Sequence, residues 1–346
     1  MNNKQKELTM NKLSKIGASA LCGSLAVISA ANAGDLTVTG GADMTWLTKT
    51  NSTTGNPLGI GSNLTFSGSG ELDNGWSVAL SVAHTNANAY SNANVTIGIP
   101  GIGDVRIDQG VSGTGVQRYD DATPSVWEEA DGAGISAGIR KISGASGSAN
   151  IEWKPSMTPD GLTAYVVWTP DADGGSTIAD KATGGDSSIQ GSGWDVMVEA
   201  TDAITGMDGL TLYAGYSEVE QYDNASSVSG DEESTVMGVK YAAGSFTVGY
   251  QVTEEETGLT GTGSTYDNTA YSVTFQVNDD LSIGYGHVES DQDGGSGDAE
   301  ADSLQIAYTM GGASIRFAEV DVENSGYTSA ASGDFEGHVL SLGLAF

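Results

Sequence analysis

The chain has 346 residues, 50 of them glycine and only 6 proline, and a formal net charge of −32. So few lysines and arginines exclude nucleic acid as a partner, because phosphate recognition needs cations. The single cysteine, Cys22, excludes a disulfide framework.

Residues 1–33 read as an export signal. Lys12 and Lys15 lead into an apolar stretch from Ile16 to Ala31, and Ala31-Asn32-Ala33 is a small-x-small cleavage pattern. Cleavage after Ala33 leaves residues 34–346 as one domain without cysteine. Loss of four lysines and one glutamate takes the formal charge from −32 to −35. No later apolar run approaches the roughly 20 residues of a transmembrane helix.

From residue 35 onward the dominant signal is alternation of period two. Leu36, Val38, Gly40, Ala42, Met44 and Trp46 alternate with Asp35, Thr37, Thr39, Gly41, Asp43 and Thr45. Neighbours in a strand point to opposite faces, so one face is apolar and the other wet. Fifteen further runs repeat the pattern, with apolar residues over 60–72, 76–82, 95–99, 105–107, 151–153, 162–168, 194–200, 210–216, 237–241, 246–252, 271–277, 281–285, 304–308, 313–317 and 340–346. Tight turns such as Asp73-Asn74-Gly75, Ala243-Gly244 and Asn278-Asp279-Asp280 alternate with longer loops at 47–59, 86–92, 171–191, 217–233, 253–268, 289–301 and 321–334. Short turns on one rim and long loops on the other predict an all-β, antiparallel transmembrane β-barrel of about 16 strands. A soluble sandwich alternates too, but sixteen strands with polar inner faces leave no dry core for two sheets. The aromatics also fall at strand ends in two rims. Trp76, Trp153, Tyr241, Phe246, Phe275, Tyr308 and Phe346 form one, and Trp46, Trp168, Trp194, Tyr216, Tyr250, Tyr271 and Tyr285 the other.

This architecture resembles the general porins of Gram-negative bacteria. The resemblance rests on the signal ending at Ala33, the terminal Phe346 and the longest unpaired stretch following Ile107. It implies an outer-membrane location, a homotrimer embedded in outer-membrane lipid, and a third loop folded into the pore. It also implies that the last strand, with Leu342, Leu344 and Phe346, is read by the barrel-assembly machinery. The third loop runs from about Asp108 to Gly147. Its acids Asp120, Asp121, Glu128, Glu129 and Asp131 are expected to narrow the lumen, with Arg118, Arg140 and Lys141 nearby. Arg106, Lys154, Lys240 and Arg316 lie on the polar face of strands and would form the opposing wall. Such an arrangement would set a transverse field and favour cations.

The expected function is a water-filled channel for small hydrophilic solutes and cations. A barrel of sixteen strands encloses water, whereas eight strands are filled by side chains. The alternative is a non-conducting surface or adhesin-like barrel displaying acidic loops. An enzyme is disfavoured, because His84, His287 and His338 fall by parity on the outer face and no histidine-centred triad stands out. No cofactor is expected. Asp291, Asp293, Asp298, Glu300 and Asp302 have the hard oxygen ligands of a Ca²⁺ loop in the outer loops, but not its EF-hand spacing.

Overall fold

The structure is a computed structural model that describes residues 36–50, 56–85, 88–109, 113–172, 189–222 and 227–345. The stretch expected to be an export signal, with Cys22, and the terminal Phe346 lie outside the described residues. Sixteen antiparallel strands form one closed barrel in chain order, β1 pairing with β16. They are β1 (Thr37–Lys49), β2 (Leu58–Glu71), β3 (Ser77–Thr85), β4 (Asn88–Ile99), β5 (Gly103–Asp108), β6 (Asn150–Pro155), β7 (Leu162–Thr169) and β8 (Gln190–Ala200). Then follow β9 (Leu210–Gln221), β10 (Glu232–Ala243), β11 (Phe246–Glu256), β12 (Thr265–Gln276), β13 (Leu281–Gln292), β14 (Ala299–Met310), β15 (Ala313–Glu323) and β16 (Phe335–Ala345). Every sequence-predicted run falls on one of them. Closure leaves no unpaired edge, which a strand in lipid requires.

The outward face is apolar and exposed. Ile60 is 74% exposed, Leu80 48% and Leu304 50%, although each is a large hydrophobe in a regular strand. In water such a band is a liability; in hydrocarbon it is the solvent-facing surface. The aromatics meet across neighbouring strands at both ends of this band. Phe246 stacks on Phe275 at 4.4 Å near the tight turns, and Trp194 lies 5.4 Å from Tyr216 near the long loops.

Two expectations change. Several predicted loops are strand, because β9 to β16 continue beyond the apolar band into acidic sequence: Glu254 to Glu256 belong to β11, and Glu300 with Asp302 to β14. The inner face is also not uniformly polar. Ala299, Ala301, Ala318, Val320, Val322 and Val339 point inward at the long-loop end and are buried with Ala133, Ile135 and Ala137 of the third loop. A second cluster joins Val116, Tyr119 and Ile142 of that loop to Met197, Tyr213 and Val236 of the wall. The core of this barrel is therefore the interface between its wall and its own third loop.

Candidate functional site: the lumen and its third loop

The third loop connects β5 to β6, and its residues 113–149 fold inside the barrel along β7 to β16. Two short 3-10 turns, Gly115–Tyr119 and Gly144–Gly147, form the feet of the loop. Both feet stand on one buried carboxylate. Asp195 of β8 accepts the backbone N–H groups of Val116 at 3.1 Å and Ala145 at 3.0 Å. Glu152 of β6 does the same for Gly115 at 3.0 Å and takes a two-oxygen bond from Arg118 at 2.7 Å. These acids supply acceptors to N–H groups that no strand pairs, which a buried backbone demands.

Farther along, wall glutamines hold the backbone. Gln251 Oε1 accepts from Ala122 N, and its Nε2 donates to Tyr119 O. Gln305 Oε1 accepts from Trp127 N and Glu128 N, and its Nε2 donates to Glu128 O. Inward glycines make room: a Cβ on Gly249 would lie 2.3 Å from Pro124 Cδ, and one on Gly337 1.9 Å from Ile135 Cδ1. The last outer loop folds over the far end, where Gly326 N donates to Ala137 O and Tyr327 Oη accepts from Arg140 N.

The five predicted loop acids do not form one ring. Asp120, Asp121, Glu129 and Asp131 line a small cavity between the loop and the inner wall of β11 and β12, together with Lys141, Gln251, Thr253 and Asn268. Lys141 Nζ pairs with Asp121 at 3.0 Å and Glu129 at 2.5 Å. Burial lowers the affinity of Lys141 for its proton, but the two carboxylates more than offset this and raise it. Burial, then the charge of Asp121, pushes the Asp120 carboxyl up to about 7. Asp131 is buried and turned into the loop, where it accepts from Ala137 N and Ser136 Oγ. Glu128 differs: it faces the open passage, its pKa raised by burial and then by Glu129, with Arg316 opposing.

The basic residues are likewise dispersed. Arg106 pairs with Asp108 at 2.7 Å, Arg118 with Glu152, and Arg140 with Glu255 at 2.6 Å. Glu255, within the stretch 253–268 expected to be a long loop, is instead an inward residue of β11 and is 1% exposed. Lys154 approaches the Tyr165 ring at 5.7 Å, and Lys240 those of Tyr213 and Tyr119 at 5.4 and 5.8 Å. Arg316 binds Asp43 at 2.6 Å and Ser341 at 2.8 Å. Thus Arg118, Arg140 and Lys141 belong to the loop itself, and of the predicted wall residues Lys240 and Arg316 lie against its rings Tyr119 and Trp127. Inward positions of β2 and β3 include the uncharged Asn63, Thr65, Ser67, Ser81 and Thr85, with Glu71 at the turn end of β2.

Beside the loop, against β1, β2, β15 and β16, an open passage of about 700 Å³ remains, lined by Asp43, Asn63, Thr85, Glu128, Ser314 and Arg316 with several glycines. The proposed Ca²⁺ ligands do not converge. Among the described residues no three acidic, histidine or cysteine groups come together to hold a metal. Asp302 instead contacts His287 Nδ1 at 3.0 Å and accepts from Tyr285 Oη, and Asp293 accepts from Ser264 Oγ at 2.7 Å. The roles of Asp43, Glu152, Asp195, Glu255, Gln251 and Gln305 were missed by sequence reasoning. A carboxylate or glutamine on the inward parity of a strand was their only mark.

A sixteen-stranded closed barrel with an apolar belt outside and a loop seated inside is a membrane channel of the porin class. The family comparison gives the particular assignment: a model of the Gram-negative porin family matches residues 17–326, and the chain belongs to that family. OmpF of Salmonella typhi, solved in complex with daunomycin, aligns at 13% identity with a TM-score of 0.69, covering 90% of this chain and 98% of that one. An anion-selective porin from Comamonas acidovorans aligns at 13% identity and TM-score 0.64, covering 90% and 99%. OmpT of Vibrio cholerae aligns at 13% and 0.63, covering 92% and 99%. A search of curated proteins finds no significant match. The protein is an outer-membrane porin that crosses the membrane with its strands.

Proposed function

We propose that this porin passes small hydrophilic solutes by diffusion and prefers cations, working as a homotrimer after residues 1–33 are removed. The observation that carries the reading is the open passage beside the seated loop, whose wall presents Asp43 and Arg316 as an ion pair and whose loop side presents the Glu128 carboxylate. The formal charge of −32 supports the preference, because a mouth lined by one sign concentrates counter-ions. A neighbour that is anion-selective has the same fold, so the sign of selectivity resides in side chains and not in the barrel.

The test is a planar-bilayer recording of the purified, folded protein. Stable, water-filled openings are expected, with a reversal potential under a KCl gradient that reports K⁺ over Cl⁻. The preference should weaken as salt shortens the Debye length from ~10 Å at 0.1 M to ~3 Å at 1 M. Silence of folded protein would favour the non-conducting surface barrel, and an anion-selective wild type would reverse the reading of the lumen.

A further inference from the structure

The barrel closes where β1 meets β16. From the lumen side this seam is crossed by one constellation. Arg316 of β15 reaches over β16 and donates from Nη2 to Ser341 Oγ at 2.8 Å and to Asp43 Oδ2 of β1 at 2.6 Å. Ser341 Oγ in turn donates to Asp43 Oδ1 at 2.5 Å. The Trp127 ring of the third loop lies 4.9 Å from the Arg316 guanidinium carbon, which brings the next residue, Glu128, to the same place.

Charge bookkeeping at this spot is simple. Among the described residues, Asp43, Glu128 and Arg316 are the ionisable side chains lining this stretch of the open passage. The other loop acids lie toward the wall of β11 and β12, where Asp121 and Glu129 pair with Lys141 and Asp131 accepts from Ala137 N and Ser136 Oγ. Asp43 and Arg316 keep 35% and 20% of their side chains accessible, so a solute in the passage meets the pair itself.

We propose that the Asp43–Arg316 pair at the closing seam, opposed by Glu128, is the charge-selecting element of this channel. Arg316 limits the cation preference, and Asp43 sustains it by neutralising Arg316. With all three charged, the passage carries one net negative charge. Loss of Arg316 leaves two; loss of Asp43 leaves none and exposes an unpaired guanidinium. The pair therefore works as a setting for selectivity, and its two halves act in opposite directions. This rests on the channel reading above.

The experiment is reversal-potential measurement under a KCl gradient at low ionic strength for Arg316→Gln, Asp43→Asn and the double variant. Folding is monitored by heat-resistant migration. Arg316→Gln is expected to raise the K⁺/Cl⁻ permeability ratio, and Asp43→Asn to lower it, each by roughly two- to five-fold. That is the size of effect a unit charge about 4 Å from an ion exerts in water. The double variant, again with one net negative charge, should return near the wild-type ratio. Arg316→Lys, which keeps the charge but loses the planar fork over Trp127, should hold the wild-type ratio even if the loop loosens. Shifts of both single variants in the same direction, or no shift in either, would overturn the proposal while leaving the channel intact. Absence of any conductance in the wild type would instead defeat the channel reading.

Discussion

Asp195 and Asp120 show how much of the third loop depends on single side chains. Asp195 holds both feet of the loop through the N–H groups of Val116 and Ala145. Asp195→Ala would leave the Val116 N–H buried without that acceptor and Ala145 with only Ser217 Oγ, a loss of about 1–3 kcal/mol in the seating of the loop. The expected outcome is rapid tryptic cleavage after Arg118, Arg140 or Lys141 in a barrel that still migrates as folded. Asp120 makes the seating pH-dependent. Its carboxyl titrates at about 7 when the loop is seated, against an ordinary 3.8 when it is released. The seated state therefore binds more protons between these values. Its contribution to stability is fully present below about pH 4 and is lost as pH rises through about 7. Hydrogen exchange across residues 115–147, corrected for intrinsic rates, should show greater protection at pH 5 than at pH 8, and Asp120→Asn should remove much of the difference.

At the scale of the element, the loop and the inner wall fit by shape. Gly249 faces Pro124 so closely that any side chain must displace the loop. Gly249→Val should push residues 123–126 off β11 and into the open passage. Single-channel conductance is then expected to fall, with more current noise, while the barrel remains closed; unchanged conductance would show that this stretch does not border the conducting path. The same strands explain what the sequence made legible. All sixteen strands announced themselves, because lipid on one side and water on the other impose a strict alternation. Their upper ends did not. In β15, Ile315 and Phe317 point outward, but Ala318, Val320 and Val322 carry the apolar character on the inward parity while Glu319 and Asp321 face out. This reversal of phase marks where the strand leaves the apolar band and where the loop docks. Read without it, the acidic tails resembled loops. The sequence did not separate Glu128, which lines the open passage, from the other loop acids for a related reason. Whether a loop carboxylate faces water, a lysine or a buried N–H depends on contacts more than a hundred residues away, such as Arg140 with Glu255.

Across the whole molecule, the outward ends of β9 to β16 carry an uncompensated charge. Carboxylates sit directly opposite one another on neighbouring strands: Glu218 with Glu233, Glu233 with Glu256, Glu254 with Asp267, and Asp267 with Asp291. The series continues with Glu289 and Glu300, Glu300 and Glu323, Asp302 and Asp321, and Asp321 and Glu336. Lys240 and Arg316 of these strands both point inward, so among the described residues no lysine or arginine of β9 to β16 answers them on this face, and Asp302 has a histidine, His287, beside it. Like charges opposed across strands destabilise a sheet by roughly 0.2–1 kcal/mol a pair. Because the pairs are exposed, dissolved ions screen them, and the penalty shrinks as the Debye length falls from ~30 Å at 0.01 M to ~8 Å at 0.15 M. The folded barrel should therefore gain stability with monovalent salt, seen as a rise in the temperature at which heat-resistant migration is lost. Replacing Glu300, Asp302 and Asp321 by their amides should raise that temperature at 0.01 M salt and matter much less at 0.5 M. The amides keep the shape and polarity of the strand ends, so a stabilisation that vanishes with salt can come only from charge. A transition temperature that is independent of salt in the wild type would show that the repulsion is already neutralised in the detergent or membrane environment.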